Sequence, residues 1–202
     1  MSLTPIKGTF LCDSSESDHG LEALLDFEMS WVLRVCANQE EKERRPKLFY
    51  QCNVILQKLL DLPPSNYTVR SVKVWKQWWR IDIWSEIIID FEGKEQRYVL
   101  VLENKAYTMM RGHQRDDYPK IVMDYYIAKP EFKNYELRLG VITFFEPDVD
   151  EEYFNTLDQF CKNGEHKWTL FSTSDLPDWD VDDVTESDLF NEFWFARCNP
   201  EQ

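Results

Sequence analysis

The chain has 202 residues, with 23 Lys and Arg against 37 Asp and Glu and a formal net charge of −14. That length suits a single domain, residues 1–202, with room for a hydrophobic core, and eight Trp among many aromatic residues argue against a disordered chain. No apolar run approaches ~18 residues and the first residues lack an apolar signal segment, so neither a membrane span nor secretion is expected.

The cysteine pattern argues against two further classes of protein. The cysteines are odd in number and widely spaced, and no Cys-x-x-Cys pair or Cys/His cluster occurs. Neither a disulfide framework nor a zinc site is therefore expected, and a reduced, cytoplasmic protein is the default. The five residues are Cys12, Cys36, Cys52, Cys161 and Cys198.

Two helices are predicted in the first third of the chain. Asp18 can cap a helix over 19–37, where apolar residues recur at helical spacing. A charged loop is expected over 39–45. A second helix over 47–62 ends at Pro63, which is followed by another proline.

The remaining elements alternate between strands and helices. A strand over 67–79 and a hairpin over 80–105 precede a helix over 111–128, which Pro119 should kink or split. This order predicts an α/β domain with a mixed central sheet. The later elements are a strand over 137–145, a helix over 150–161, a strand over 166–172 and a helix over 187–198.

The acidic charge is confined to one part of the chain. Residues 1–145 carry 20 Lys and Arg against 21 Asp and Glu, whereas residues 146–202 carry 3 against 16. The body is thus nearly neutral, with basic residues near the hairpin, so the net charge does not exclude nucleic-acid binding. The acidic C-terminal extension is compatible with three roles: it can give solubility, mimic or repel nucleic acid, or bind a basic protein partner.

The hairpin over 80–105 is the most informative stretch. Gly93-Lys94 fits a two-residue turn of the Gly-X kind. In the register that this turn sets, Asp82 lies opposite Lys105. A slip of one residue would move Asp82 to the other face of the sheet.

Two carboxylates and a lysine then share one face of the hairpin. Asp82 and Glu103 become diagonal neighbours, roughly 7–8 Å apart at the backbone, and Trp84 lies opposite Glu103. In this register Glu86 and Asp90 are too far from Glu103 to share its ion. A hard divalent cation is the expected ligand of such a pair of carboxylates.

Glu-x-Lys is by itself a weak motif, because it occurs five times in this chain. Only Glu103 and Lys105 end a strongly apolar strand, 98–102, and a charge there is costly to bury unless it is paired or bound to metal. The other four pairs lie in polar surroundings that favour a solvated ion pair. They are Glu40/Lys42, Glu92/Lys94, Glu131/Lys133 and Glu165/Lys167.

These elements resemble the signature of the PD-(D/E)XK nuclease superfamily, in the branch that reads R-x-D … E-N-K … Q-x-x-x-Y. Arg80-Ile-Asp82 and Glu103-Asn104-Lys105 supply the first two parts. Gln114 and Tyr118 supply the third, with Arg115 in place of the usual apolar residue. The resemblance covers about residues 19–145 and leaves the acidic extension, 146–202, unexplained.

The resemblance implies a restriction-endonuclease-like three-layer core and a magnesium site, with Mn²⁺ as a substitute. Asp82 and Glu103 would be metal ligands, with the backbone carbonyl of Asn104 as a third. Lys105 would orient the attacking water or neutralise the developing oxyanion. A carboxylate on the first helix completes the set.

The run Ser30-Trp31-Val32-Leu33 indicates Glu22 as that helix carboxylate, with Glu28 as the alternative. Gln114 is expected to contact phosphate or a metal-bound water. The remaining expected substrate contacts are Arg80, Tyr118, Arg111 and Arg115.

Two functions of different class are compatible with these residues. The first is a metal-dependent nuclease that acts on DNA rather than RNA. The alternative is a catalytically weak or inactive nuclease-fold module that binds a protein or nucleic-acid partner.

The tryptophans at Trp75, Trp78, Trp79 and Trp84 are expected in the core rather than as a stacking platform for bases.

Overall fold

The computed structural model describes residues 21–63, 67–105, 108–144, 150–180 and 184–197, which form an α/β domain built on a five-stranded mixed sheet. The strand order is β1-β2-β3-β4-β5. The first three strands are antiparallel neighbours, and the β3–β4 and β4–β5 pairs are parallel. The strands are β1 Tyr67–Trp78, β2 Ile81–Phe91, β3 Lys94–Lys105, β4 Tyr135–Thr143 and β5 Thr169–Ser172.

Helices cover both faces of the sheet. On one face, α1, α3 and the C-terminal helical segment enclose one apolar core, and on the other face α4 and α5 enclose a second. In the described part of the chain, no helix has the length and apolar character needed to cross a bilayer. The helices are α1 Leu21–Cys36, α2 Gln39–Arg44, α3 Pro46–Leu60, α4 Gly112–Ile127, α5 Glu151–Lys162 and α6 Asp188–Phe190, which continues as a π-helix over Asn191–Arg197.

The β2–β3 register differs from the predicted one by two residues. The turn is Glu92-Gly93, not Gly93-Lys94, and both turn residues have positive φ, of 51° and 75°. Phe91 therefore pairs with Lys94, and Ile83 pairs with Leu102. A shift of two residues preserves the side-chain faces, because side chains alternate with a period of two.

Pro119 was expected to kink or split α4, and it does not split it. A proline has no N–H, so the carbonyl of Arg115, four residues earlier, loses its normal helical donor. The indole N–H of Trp168 donates to that carbonyl instead, at 3.1 Å. Because this tertiary contact replaces the missing hydrogen bond, α4 continues past the proline to Ile127.

Other differences are local. The predicted charged loop over 39–45 is mostly the short helix α2, whose N-cap Asn38 accepts a hydrogen bond from the N–H of Glu40 at 3.1 Å. The predicted cap Asp18 lies outside the described residues, as do Cys12 and Cys198.

The acidic C-terminal quarter packs against α3 through some of its carboxylates. The N-cap residue of α3, Arg45, makes no side-chain cap, and the carboxylate of Glu186 accepts from two backbone N–H groups of the first turn, at 3.1 and 3.3 Å. Asp178 accepts from the hydroxyl of Tyr50 at 2.5 Å, and its backbone exchanges two hydrogen bonds with the Gln51 side chain. Part of the acidic charge therefore has a structural use.

The β2–β3 turn yields a stability prediction. Both central residues are left-handed, the conformation in which Asn-Gly is preferred, and left-handed φ costs an ordinary L-residue ~1–2 kcal/mol. We expect Glu92→Asn to raise the free energy of unfolding by about 0.5–1 kcal/mol and Gly93→Ala to lower it by about 1 kcal/mol. Urea unfolding measures both.

Gly112→Ala is the matched control for the turn variants. Gly112 does not have a positive φ, and an added Cβ there meets no atom within 4 Å. We expect that variant to unfold at the wild-type urea concentration or slightly above it. A Glu92→Asn variant less stable than wild type would contradict the assigned turn.

Candidate active site

The predicted site residues meet at one edge of the sheet. Asp82 is at the start of β2, and Glu103 and Lys105 are at the end of β3. Since Ile83 pairs with Leu102, the next position in register sets Asp82 directly opposite Glu103. The expected diagonal arrangement is replaced by a direct cross-strand one, which brings the two carboxylates closer.

The trio forms a polar cluster in which Glu103 and Lys105 are buried and Asp82 is half-buried. Glu103 is 1% exposed and Lys105 is 6% exposed, and Lys105 Nζ donates to Glu103 Oε1 at 2.6 Å. The backbone N–H of Asn104 donates to Asp82 Oδ2 at 2.8 Å. Gln114, in the first turn of α4, also donates to Glu103 Oε1. The second carboxylate oxygen, Glu103 Oε2, is buried and has no hydrogen-bond partner in the described structure.

The electrostatics of the site favour a cation. Burial, and then the neighbouring Asp82 carboxylate, raise the pKa of Glu103 to about 8, against the opposing effect of Lys105. Burial also raises the pKa of Asp82, against the hydrogen bonds from Asn104 and Gln77. Burial is the main cause of both shifts and it disfavours the charged carboxylates, so a bound cation would offset part of that cost.

The first helix brings one of the two candidate carboxylates to this edge. Glu22 accepts from the Thr108 hydroxyl at 3.1 Å, and its charge contributes to the raised pKa values of Asp82 and Glu103. Glu28 lies elsewhere, buried at 3% exposure in the core near Cys52. Of the two alternatives, Glu22 is the one that faces the site.

Two residues of the cluster were missed by the sequence reasoning. Asp26 accepts from the side chain of Asn104 at 2.5 Å and from Gln77 at 2.8 Å, and Gln77 also donates to Asp82 at 2.8 Å. Burial raises the pKa of Asp26 to about 6. Asp26 lies one helical turn after Glu22, so that spacing was a usable signal. Nothing in the sequence identified Gln77.

The expected substrate-contact residues have different surroundings. The Tyr118 hydroxyl donates to the carbonyl of Arg80 at 2.7 Å, so it supports the β1–β2 turn. Arg80 and Arg111 are exposed. Arg115 is half-buried, pairs with Asp116 at 2.7 Å and lies 4.4 Å from the Phe160 ring centroid, which leaves it little freedom to reach a substrate.

The residues at the edge fit a magnesium ion as a two-carboxylate site. Within the described residues, no group of three or more His, Cys, Asp and Glu side chains is arranged to hold a metal. Mg²⁺ is commonly bound by one or two carboxylates and keeps several waters, so it does not need a third. The buried, unpartnered Oε2 of Glu103 opposite Asp82 is the observation that fits such an ion.

Glu28 yields a prediction on pH. Burial raises its pKa from 4.5 to about 7, so the folded state binds its proton more tightly than the unfolded state does. The stability that this group contributes is complete below pH ~4.5 and is lost as pH rises through about 7. We expect the free energy of unfolding of Glu28→Gln, relative to that of wild type, to rise by roughly 2–3 kcal/mol between pH 5 and pH 8.

Urea unfolding across that pH range, analysed as the difference between variant and wild type, cancels the titration of the other groups. Glu43→Gln is the control, because Glu43 is exposed on α2. A pH-independent difference for Glu28→Gln would show that the Glu28 carboxyl is not buried as the structure has it.

Comparisons with known proteins found no relative of this chain. No family model matches the chain, and neither a curated protein nor a solved structure matches it. The family resemblance of the sequence therefore has no independent support from relatives. What supports a function is the meeting of Asp82, Glu103, Lys105 and Glu22 at one edge of the sheet.

Proposed function

We propose that the chain is a Mg²⁺-dependent nuclease of the PD-(D/E)XK type, which hydrolyses phosphodiester bonds in DNA. The observation that carries the proposal is the buried cluster in which Asp82 lies opposite Glu103 and Lys105 is bonded to Glu103. Burying Glu103 and Lys105 at the end of a central strand, with the half-buried Asp82 opposite them, is costly and contributes little to stability. Such an arrangement is typical of a catalytic site.

The metal-holding residues are Asp82 and Glu103, with the backbone carbonyl of Asn104 as the third expected ligand. When bound, the ion would stabilise negative charge on the phosphoryl group and lower the pKa of a coordinated water. Glu22, at the start of α1, would hold the water shell of that ion. Mn²⁺ is expected to substitute for Mg²⁺.

The remaining groups act on the substrate. Lys105 Nζ lies beside Glu103 and can neutralise charge that develops on the scissile phosphate. Gln114 is in the first turn of α4, where backbone N–H groups and the helix dipole favour a phosphate. Its side chain caps the helix by accepting from Arg111 N–H at 2.8 Å, so it is held in position.

The charge of the molecule is compatible with DNA as substrate. Residues 1–145 have a balance of only −1, and the exposed arginines Arg80 and Arg111 lie close in sequence to Asp82 and Gln114. Phosphate contacts depend on local positive charge rather than on the total. Two acids of the C-terminal quarter, Glu186 and Asp178, are engaged with α3.

The proposal predicts metal-dependent cleavage that fails without the trio. Supercoiled plasmid, linear duplex and single strands are incubated with Mg²⁺ or Mn²⁺. We expect the wild type to cut and Asp82→Ala and Lys105→Ala to lose activity by at least ~100-fold, because each removes charge stabilisation from the transition state. Lys94→Ala, from an exposed Glu-x-Lys pair, is the matched control and should cut like wild type.

Calorimetry with Mn²⁺ gives a readout that does not depend on cleavage. We expect binding by the wild type and by Lys105→Ala, and none by Asp82→Ala. Equal cutting by all variants would indicate a contaminating nuclease and refute the assignment. No cutting together with no Asp82-dependent Mn²⁺ binding would favour the alternative, an inactive module that binds a partner.

A further inference from the structure

The turn between β1 and β2 is strained and borders the candidate site. Trp78 pairs with Ile81, and the two residues between them, Trp79 and Arg80, both have left-handed φ, of 56° and 66°. Gln77, just before them, has φ 53°. A two-residue turn of this kind favours Asn and Gly, so Trp and Arg are there at a cost in free energy.

Two sets of contacts hold this strained conformation. The hydroxyl of Tyr118 donates to the carbonyl of Arg80 at 2.7 Å. The amide of Gln77 donates to both Asp26 and Asp82 at 2.8 Å. Both sets come from the residues around the candidate active site. Strained residues that are fixed in this way cluster at functional sites.

The same turn presents an aromatic ring to solvent. Trp79 is 59% exposed, and it is the only exposed one among the eight tryptophans, all of which the structure describes. The prediction that the tryptophan group lies in the core therefore fails for this residue, whereas Trp84 is fully buried. An exposed indole contributes little to the stability of the fold, so stability does not explain a tryptophan at this position.

A second exposed aromatic ring on α1 contacts the end of β1 that leads into this turn. Phe27 is 63% exposed on α1, and Lys76 Nζ lies 3.0 Å from the centroid of its ring. Lys76 is on β1, three residues before Trp79, and Arg80 is exposed beside Trp79. We call these four residues the turn platform: Phe27, Lys76, Trp79 and Arg80.

We propose that the turn platform binds unpaired bases, so that single-stranded DNA is the substrate class of the adjoining site; this rests on the proposed nuclease function. An aromatic ring stacks on the face of a base, and in an intact duplex those faces are covered by neighbouring base pairs. Lys76 and Arg80 supply positive charge for the phosphates between stacked bases. The platform adjoins Asp82, because Gln77, next to Lys76, donates a hydrogen bond to the Asp82 carboxylate at 2.8 Å.

Binding without cleavage tests this proposal. Fluorescence anisotropy is measured with a labelled thymidine oligonucleotide and with a blunt duplex of equal length, in Ca²⁺ and in EDTA. We expect the wild type to prefer the single strand, and to bind it more tightly in Ca²⁺, because a bound cation neutralises the Asp82 carboxylate, which otherwise repels phosphates. Trp79→Ala should weaken single-strand binding about tenfold, within the range measured for base–aromatic stacking. Trp79→Phe should retain most of the affinity.

A strain-relieving double variant separates binding from folding. Trp79→Asn with Arg80→Gly supplies the residues that this turn favours, so we expect the melting temperature to rise by a few degrees while single-strand binding falls. A structural role for Trp79 would instead lower the melting temperature. Tyr50→Ala removes an exposed aromatic ring from α3 and should bind like wild type.

The outcomes distinguish this inference from the nuclease proposal. Equal weakening of strand and duplex binding by Trp79→Ala, or no weakening, overturns the platform even if Lys105-dependent cleavage is observed. Trp79-dependent binding of single strands without any cleavage supports the platform and refutes the nuclease. A wild type that binds neither nucleic acid overturns the platform outright.

Discussion

The antiparallel pairing of β2 with β3 is the constraint on which the rest of the structure depends. These strands lie side by side within the sheet, and their register sets Asp82 opposite Glu103. The same alternation turns Asn104 to the opposite face, where its side chain reaches Asp26 on α1. One strand pair thus joins the two helical layers to a single cluster of carboxylates.

The cluster costs stability, and the surrounding structure compensates through hydrogen bonds. Glu103 receives hydrogen bonds from Lys105 and Gln114, yet one of its oxygens has no partner among the described residues. Beside it, three residues have left-handed φ: Gln77, Trp79 and Arg80. Backbone strain and buried charge that do not stabilise the fold are typical of functional sites.

The trio of the candidate site could be predicted from the sequence because the strand pattern fixes which side chains share a face. The predicted turn was wrong by one position and the register by two residues, yet the trio stayed on one face, because a shift of two preserves side-chain alternation. The continuity of α4 could not be predicted, since it depends on Trp168, which is 49 positions away from Pro119 in the chain. The left-handed turn at Trp79 was equally hidden, because its residues are not those that such turns favour.

By itself, the sequence determined the α/β class, the paired strands and the residues Asp82, Glu103 and Lys105, since each depends on local periodicity and on charge at the end of an apolar strand. Only the tertiary structure distinguished Glu22 from Glu28, added Gln77, and left Trp79 in solvent. Those choices depend on how α1 and the β1–β2 turn pack against the sheet. Contacts between segments far apart in the chain decide that packing, and no local pattern encodes them.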